Sequence, residues 1–261
     1  MVSKSPTVLA LDFDGVICDG LKEYFITAWR AYCQIWQPQD VTPPPGVAEA
    51  FYRLRPVVET GWEMPVVIRA VLQGVSEAAI LQDWAAIAQD MITREQLTPA
   101  QLVGQVDGIR DQWIASDVES WLAEHRFYPG VSDRLKTILQ AELHVAIIST
   151  KEGRFIQQLL AQQGIDLTEL QIYGKEVKRP KGDILLELMQ IFGDHASFWF
   201  VEDRLKTLQG IQKRPELATV QLFLADWGYN TDRDRAEATR DPLIHLISLE
   251  QFSRDFSDWL A

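Results

Sequence analysis

The sequence predicts an α/β protein: a parallel sheet wrapped by helices on both faces, with an all-helical block inserted after the first strand. Three observations carry this reading. Short apolar runs such as Thr7–Leu11, His144–Ile148 and Ser197–Val201 read as strands buried on both faces. From about residue 126 onward such runs alternate with helical periodicities, the pattern of strand–helix–strand units. From about Leu21 to His125 apolar residues recur at steps of three and four, and no convincing apolar strand appears.

Taken in order, Thr7–Leu11 is the first strand and ends in Asp12-Phe13-Asp14-Gly15. Glu23–Trp36 is helical, with Phe25, Ala28, Trp29, Tyr32 and Ile35 on one face, and Pro43-Pro44-Pro45-Gly46 breaks the pattern after it. Ala48–Leu54 begins a second helix, and Pro65 suits the first turn of a third that reaches Leu72. Ser76 opens a helix through Met91, Thr98-Pro99 caps another that runs toward Arg110 or beyond, and Asp117–Glu124 closes the block. Then follow a helix (Ser132–Ala141), the strand His144–Ile148, and a helix from Arg154 to Gln163 stopped by Gly164. The remaining strands are Leu170–Tyr173, Ser197–Val201, Thr219–Leu224 and Leu243–Ile247, with helices at Asp183–Phe192 and Arg204–Arg214. The expected division is residues 1–20 and 126–261 for the α/β core and 21–125 for the insertion.

Of the 261 residues 47% are hydrophobic, enough for a sizeable core, and the net charge of -12 opposes general binding to nucleic acid or anionic membranes. A small anionic substrate remains compatible, because a local cluster of Lys and Arg acts against the global field. Two cysteines, Cys18 and Cys33, are too few for a disulfide framework and suit a reducing cytoplasm. Lys4 and Asp12 interrupt any early apolar run, and no stretch of about 20 apolar residues occurs, so neither a signal peptide nor a spanning helix is expected.

In a parallel sheet, every strand delivers the residues after it to one rim, where ligands bind. The first strand delivers Asp12 and Asp14, expected to project together. The strand ending at Ile148 delivers Ser149, Thr150 and Lys151, and the strand ending at Val201 delivers Glu202 and Asp203. Lys178-Arg179-Pro180-Lys181 leads into a helix between them. Carboxylates suit Mg²⁺, a hard ion, whereas hydroxyl, lysine and helix N-terminal N–H groups suit a phosphate. An aspartate can attack phosphorus, and a second can move the proton.

Asp12-Phe13-Asp14-Gly15-Val16 resembles the DxDG[TV] motif of the haloacid dehalogenase superfamily. Ser149 is similar to its second motif, Lys181 to its third, and Glu202-Asp203 to its acidic fourth. Phe127-Tyr128-Pro129-Gly130-Val131 resembles the place where caps rejoin the core. Trp227-Gly228-Tyr229 is similar to what phosphoglycolate-phosphatase-like members carry. The resemblance covers residues 7–20 and 126–228 and implies a Rossmann-like three-layer core with an inserted helical cap of the C1 type. It implies a Mg²⁺-dependent phosphatase of a small phosphorylated metabolite. Asp12 is then nucleophile and metal ligand. Asp14 is acid and base, and gives the metal its backbone carbonyl. Ser149, Thr150 and Lys181 hold phosphate, and Asp203 with Glu202 completes the metal site.

Lys178 is the alternative third-motif lysine, and Lys151 is a further candidate for the phosphate. Thr207 stands where many relatives have a second fourth-motif aspartate. In the insertion, Arg55 and Arg69 are candidates for an anionic substrate tail and Glu59 and Glu63 for hydroxyls or amines, with Asp19-Gly20 as a hinge. A sugar-phosphate mutase and a catalytically silent binding protein are the alternative readings. The protein is expected to be cytoplasmic, as a monomer or homodimer.

Overall fold

A computed structural model describes residues 5–141, 143–193 and 195–260. Met1–Lys4, on which the expectation about a signal peptide partly rests, lie outside them. The chain divides into two compact units: one holds the residues up to Asp19 and those from Arg126 onward, the other Gly20–His125.

The first unit contains β1 (Val8–Leu11), β2 (Cys18–Asp19), β3 (Arg126–Phe127), β4 (His144–Ile148), β5 (Leu170–Tyr173), β6 (Phe198–Glu202), β7 (Gln221–Ala225) and β8 (Ile244–Ile247). Six of these form one sheet in the order β5-β4-β1-β6-β7-β8, parallel throughout, and β2 and β3 make a small antiparallel pair. β1 lies inside the sheet, with Leu11 level with Ile147 on one side and Val201 on the other. Its four residues are all buried, which is why an uninterrupted apolar run was needed there.

Alternation along the strands sends Val8 and Ala10 to one face with Phe200, Leu222 and Leu224. Ile184, Leu185 and Leu188, and Leu205, Leu208 and Ile211, cover that face from two helices. Trp199 and Phe223 turn the other way and pack against Trp259. A one-residue slip in β6 would exchange Trp199 for Phe200 and destroy both layers.

The second unit is helical: α1 (Leu21–Trp36), α2 (Val47–Leu54), α3 (Glu63–Leu72), α4 (Glu77–Arg94), α5 (Pro99–Ser116) and α6 (Val118–Leu122). Its core joins Trp29, which the periodicity placed on one face of its helix, to Phe51, Leu54, Ile68, Trp84 and Val106. The fully buried Glu23 of α1 accepts hydrogen bonds from Thr27 Oγ1 (2.7 Å) and Arg110 Nε (2.8 Å), tying α1 to α5. Thr98 forms a capping box with Gln101, as the Thr-Pro signal implies. The α4 region departs from one uninterrupted helix. Asp83 leaves helical geometry (φ -150°, ψ 63°), and its carboxylate caps the Ala86 N–H, so the side chain restarts the helix.

In the first unit the remaining helices are α7 (Val131–Leu139), α8 (Gly153–Gln162), α9 (Lys181–Phe192), α10 (Leu205–Gln212), α11 (Asp232–Ala238) and α12 (Leu249–Phe252). Among the described residues no helix is long and apolar enough to cross a membrane.

Candidate active site

β1 stops at Leu11, and the Asp12 N–H still bonds Val201 O (2.9 Å), which fixes Asp12 beside the end of β6. β6 runs one residue further than the sequence implied and ends at Glu202, with Asp203 next. Parallel pairing therefore brings Asp12, Glu202 and Asp203 to one rim. All three are buried, and a carboxylate oxygen of each lies within 4.8 Å of the others.

Lys181, the first residue of α9, enters this acidic group. Its Nζ is 2.8 Å from Asp12 Oδ2 and 2.7 Å from Glu202 Oε2. The other oxygen of Glu202 accepts the N–H groups of Asp203 (3.1 Å) and Arg204 (3.0 Å), so both of its oxygens are engaged. Asp12 Oδ1 accepts the Phe13 N–H at 2.7 Å. Lys178, the alternative lysine, is exposed, with a left-handed backbone (φ 52°), and ends the turn Lys175–Val177.

Burial pushes the Asp12 carboxyl up to about 7; Lys181 lowers it and Glu202 raises it further. Glu202 is likewise pushed up to about 7, first by burial, with Lys181 opposing and Asp203 adding to the rise. Burial also raises Asp203, and the Asp12 charge adds to it. For Lys181 burial works against the ammonium, yet Asp12 and Glu202 outweigh it and hold the proton more tightly. Three buried carboxylates facing one ammonium leave a formal excess of two negative charges in the cluster. Desolvation makes that excess costly, and an oxygen-ligated divalent cation matches it in charge and in donor type. The donor set therefore fits a hard metal ion.

The turn after β1 is held by its own backbone: Phe13 O accepts from both Ile17 and Cys18 N–H (2.9 Å each), and Gly15 N–H donates to Cys18 O (2.8 Å). Gly15 has φ +88°, and a Cβ there would stand 2.1 Å from Asp203 Oδ2, so only glycine fits. The loop after β7 closes the same site. Tyr229 N–H donates to Asp203 Oδ2 (2.7 Å), Asn230 Nδ2 donates to Asp203 O (3.0 Å), and Trp227 Nε1 donates to Val16 O (3.1 Å). A Cβ on Gly228 would lie 2.3 Å from Asp203 Cβ and 2.6 Å from Gly15 O. Gly228→Ala is thus expected to destabilise the protein by about 1–3 kcal/mol through overpacking. At roughly 2–4 °C per kcal/mol that is a readily measured fall in Tm, and divalent-ion affinity should fall with it as Asp203 is displaced. An unchanged Tm would show that the two loops can part without cost.

Sequence reasoning singled out Trp227-Gly228-Tyr229 but assigned it no task, and it missed Asn230. A buried Asn five residues after such a strand is a usable signal, since its amide must find partners. Thr207 lies on α10 and is absent from the acidic group.

The other sequence candidates fall into two groups. Ser149 is buried after β4, and its Oγ lies 3.3 Å from the Lys151 N–H; Thr150 is exposed. Asp14 does not join the Asp12–Glu202–Asp203 oxygens. Its Oδ1 instead lies 3.3 Å from Lys151 Nζ, whose side chain is 8% exposed. Both aspartates stand beyond the end of β1, and each meets a different lysine, Asp12 Lys181 and Asp14 Lys151. In the helical unit, Arg69 pairs with Glu95 (2.9 Å) and stacks on Trp36, while Arg55 lies over Tyr24 and donates to Val58 O. Glu63 accepts from Glu59 N–H and Trp84 Nε1 inside that unit.

Residues 6–213 match the haloacid dehalogenase-like hydrolase family. The chain is similar to a phosphoglycolate phosphatase of Pseudomonas syringae pv. syringae, 28% identical over 141 residues, which is 51% of this chain and 50% of that protein. It is 25% identical over 173 residues to a probable phosphoglycolate phosphatase of Pseudomonas putida, 63% of this chain and 67% of that protein. The first match thus spans half the relative's length. Among solved structures, a predicted phosphoglycolate phosphatase from Haemophilus somnus superposes with TM-score 0.61 at 17% identity, covering 99% and 97% of the two chains. A haloacid dehalogenase-like family protein from Streptococcus pneumoniae gives TM-score 0.59 at 17% identity and 95% coverage of each. At these identities the superpositions establish a shared fold.

Proposed function

This chain belongs to the haloacid dehalogenase-like hydrolases, and from that premise we propose that it hydrolyses a small phosphomonoester through an aspartyl-phosphate on Asp12. The observation that carries the reading is Lys181 lodged between Asp12 and Glu202 at the rim where Asp203 also converges. A binding module has no need to bury three carboxylates around one lysine, whereas a phosphoryl-transfer site needs both an anionic nucleophile and cations for the transferred group.

In this mechanism a carboxylate oxygen of Asp12 forms a bond to phosphorus as the ester P–O bond breaks. Asp14 gives its proton to the departing alkoxide. Water then attacks the phosphorus of the aspartyl-phosphate, Asp14 takes a proton from it, and inorganic phosphate leaves with Asp12 regenerated. Lys181 and Ser149 hold the non-bridging oxygens. Asp12 and Asp203, with the Asp14 backbone carbonyl, would hold Mg²⁺, with Glu202 directly or through water. When bound, that ion supplies Lewis-acid stabilisation of the phosphoryl charge.

The name carried by the curated relatives makes phosphoglycolate the first substrate to test. The purified protein is expected to release phosphate from phosphoglycolate or p-nitrophenyl phosphate with Mg²⁺ and to fall to background in EDTA. Failure on both substrates at saturating Mg²⁺ would remove the reading.

Metal removal also has a pH signature. Asp12 and Glu202 keep their protons to about 7 in the folded, ion-free protein, well above their ordinary carboxylate values. The folded state then binds more protons than the unfolded one, so ion-free stability falls as pH rises from about 4 to about 7. Mg²⁺ should reverse this, with about 2–3 kcal/mol at a hundredfold excess over Kd, and most visibly on the alkaline side. Thermal melts in EDTA and in Mg²⁺ between pH 5 and 8, at about half-unit steps, test the linkage. A Mg²⁺ shift that is absent, or largest at low pH, contradicts it.

A further inference from the structure

The turn that carries Ser149 and Lys151 is fastened at three points to the last residue of β5 and the segment after it. Ser149 N–H donates to Tyr173 O (2.9 Å), and Lys175 N–H donates to Lys151 O (2.9 Å). Gly153 N–H, at the first residue of α8, donates to Glu176 Oε2 (3.0 Å). α8 therefore takes a cap from far along the chain: the residue before it, Glu152, makes no capping bond and pairs with Arg154 instead. The approach is close enough to demand glycine on both sides. A Cβ on Gly174 would stand 2.3 Å from Gly153 N, and one on Gly153 would stand 2.5 Å from Glu176 Oε1. From Glu176 the chain continues through the turn closed by Val177 N–H to Gly174 O (3.0 Å) and the left-handed Lys178. Only Arg179 and Pro180 then separate it from Lys181.

We propose that Glu176 is a positioning residue for the phosphate-binding groups. By capping α8, it locks the Ser149–Lys151 turn to the segment that delivers Lys181. Its carboxylate favours the N-terminal end of α8 and satisfies an otherwise orphaned amide. Glu176 itself is exposed and outside the acidic group, so it acts through these neighbours. The proposal rests on the phosphatase reading.

The test compares Glu176→Ala and Glu176→Gln with wild type in Mg²⁺. It measures p-nitrophenyl phosphate turnover, its inhibition by inorganic phosphate, and hydrogen exchange of the amides from 149 to 153. Glu176→Ala is expected to raise KM and the phosphate inhibition constant together by about tenfold, the scale of a small misplacement of binding groups, and to speed exchange at Gly153. Glu176→Gln keeps an acceptor oxygen and should recover most of the loss. A merely structural role would lower Tm and active fraction while leaving both constants unchanged. An active wild type whose folded Glu176→Ala variant stays within about twofold in both constants and in exchange overturns the proposal alone. A wild type that shows neither turnover nor phosphate protection of these amides overturns the phosphatase reading and the proposal with it.

Discussion

Asp12→Asn is expected to abolish turnover, lowering kcat by about a thousandfold or more, the scale set by removing the nucleophile of a covalent mechanism. That corresponds to about 4 kcal/mol of transition-state stabilisation at 1.36 kcal/mol per factor of ten. The amide cannot form the acyl-phosphate, yet it is nearly isosteric and still accepts the Phe13 N–H seen at 2.7 Å. The variant should therefore fold. Removing one buried negative charge should also make the ion-free protein more stable than wild type near neutral pH, since burial is the main force raising the Asp12 carboxyl. Stability gained while activity is lost is a combination that general damage to the fold does not produce. Steady-state assays and melts in EDTA read both halves.

Lys181→Met should have the second largest effect, and in the opposite direction for stability. Its ammonium faces Asp12 at 2.8 Å and Glu202 at 2.7 Å from a side chain only 15% exposed. Methionine keeps the volume but leaves the carboxylates without their cation. Breaking a buried ion pair from one side costs about 3–5 kcal/mol. The loss should grow with pH, because at low pH Asp12 and Glu202 neutralise themselves by holding protons. Turnover should fall by about a hundred- to a thousandfold, as on removal of one preorganised group from a transition-state charge. Added Mg²⁺ should restore much of the Tm and little of the rate. A variant that melts like wild type in EDTA at pH 8 would remove Lys181 from its place as the counter-charge of this cluster.

Much of this arrangement was legible beforehand because it rests on short-range chemistry. Val8–Leu11 and Phe198–Val201 read as buried strands, and in a parallel sheet the acids that follow them share a rim. The choice between Lys178 and Lys181 was not legible. It depends on a left-handed turn at Lys178 and on α9 starting at Lys181 itself, details of backbone geometry that two lysines three residues apart do not announce. The β2–β3 pair escaped notice because two-residue strands carry no period, and their partners are separated by the whole helical unit. The pairing of Asp14 with Lys151 was not legible either, because it joins the loops after two different strands. The supports at Gly228, Asn230 and Glu176 are long-range contacts between loops, and only the folded backbone brings them together.

The division of labour between the two aspartates is the central claim. Asp14→Asn should still pass the phosphoryl group of p-nitrophenyl phosphate to Asp12, because p-nitrophenolate leaves without needing a proton. It should then stall, because no base activates water. Rapid acid quench of that variant with substrate and Mg²⁺, followed by peptide mass spectrometry, tests this most directly. A phosphoryl group is expected on the Asp12 peptide, close to one per active site, and none when Asp12→Asn is added. Release of p-nitrophenolate with no phosphorylated peptide, or phosphorylation at another residue, would contradict it.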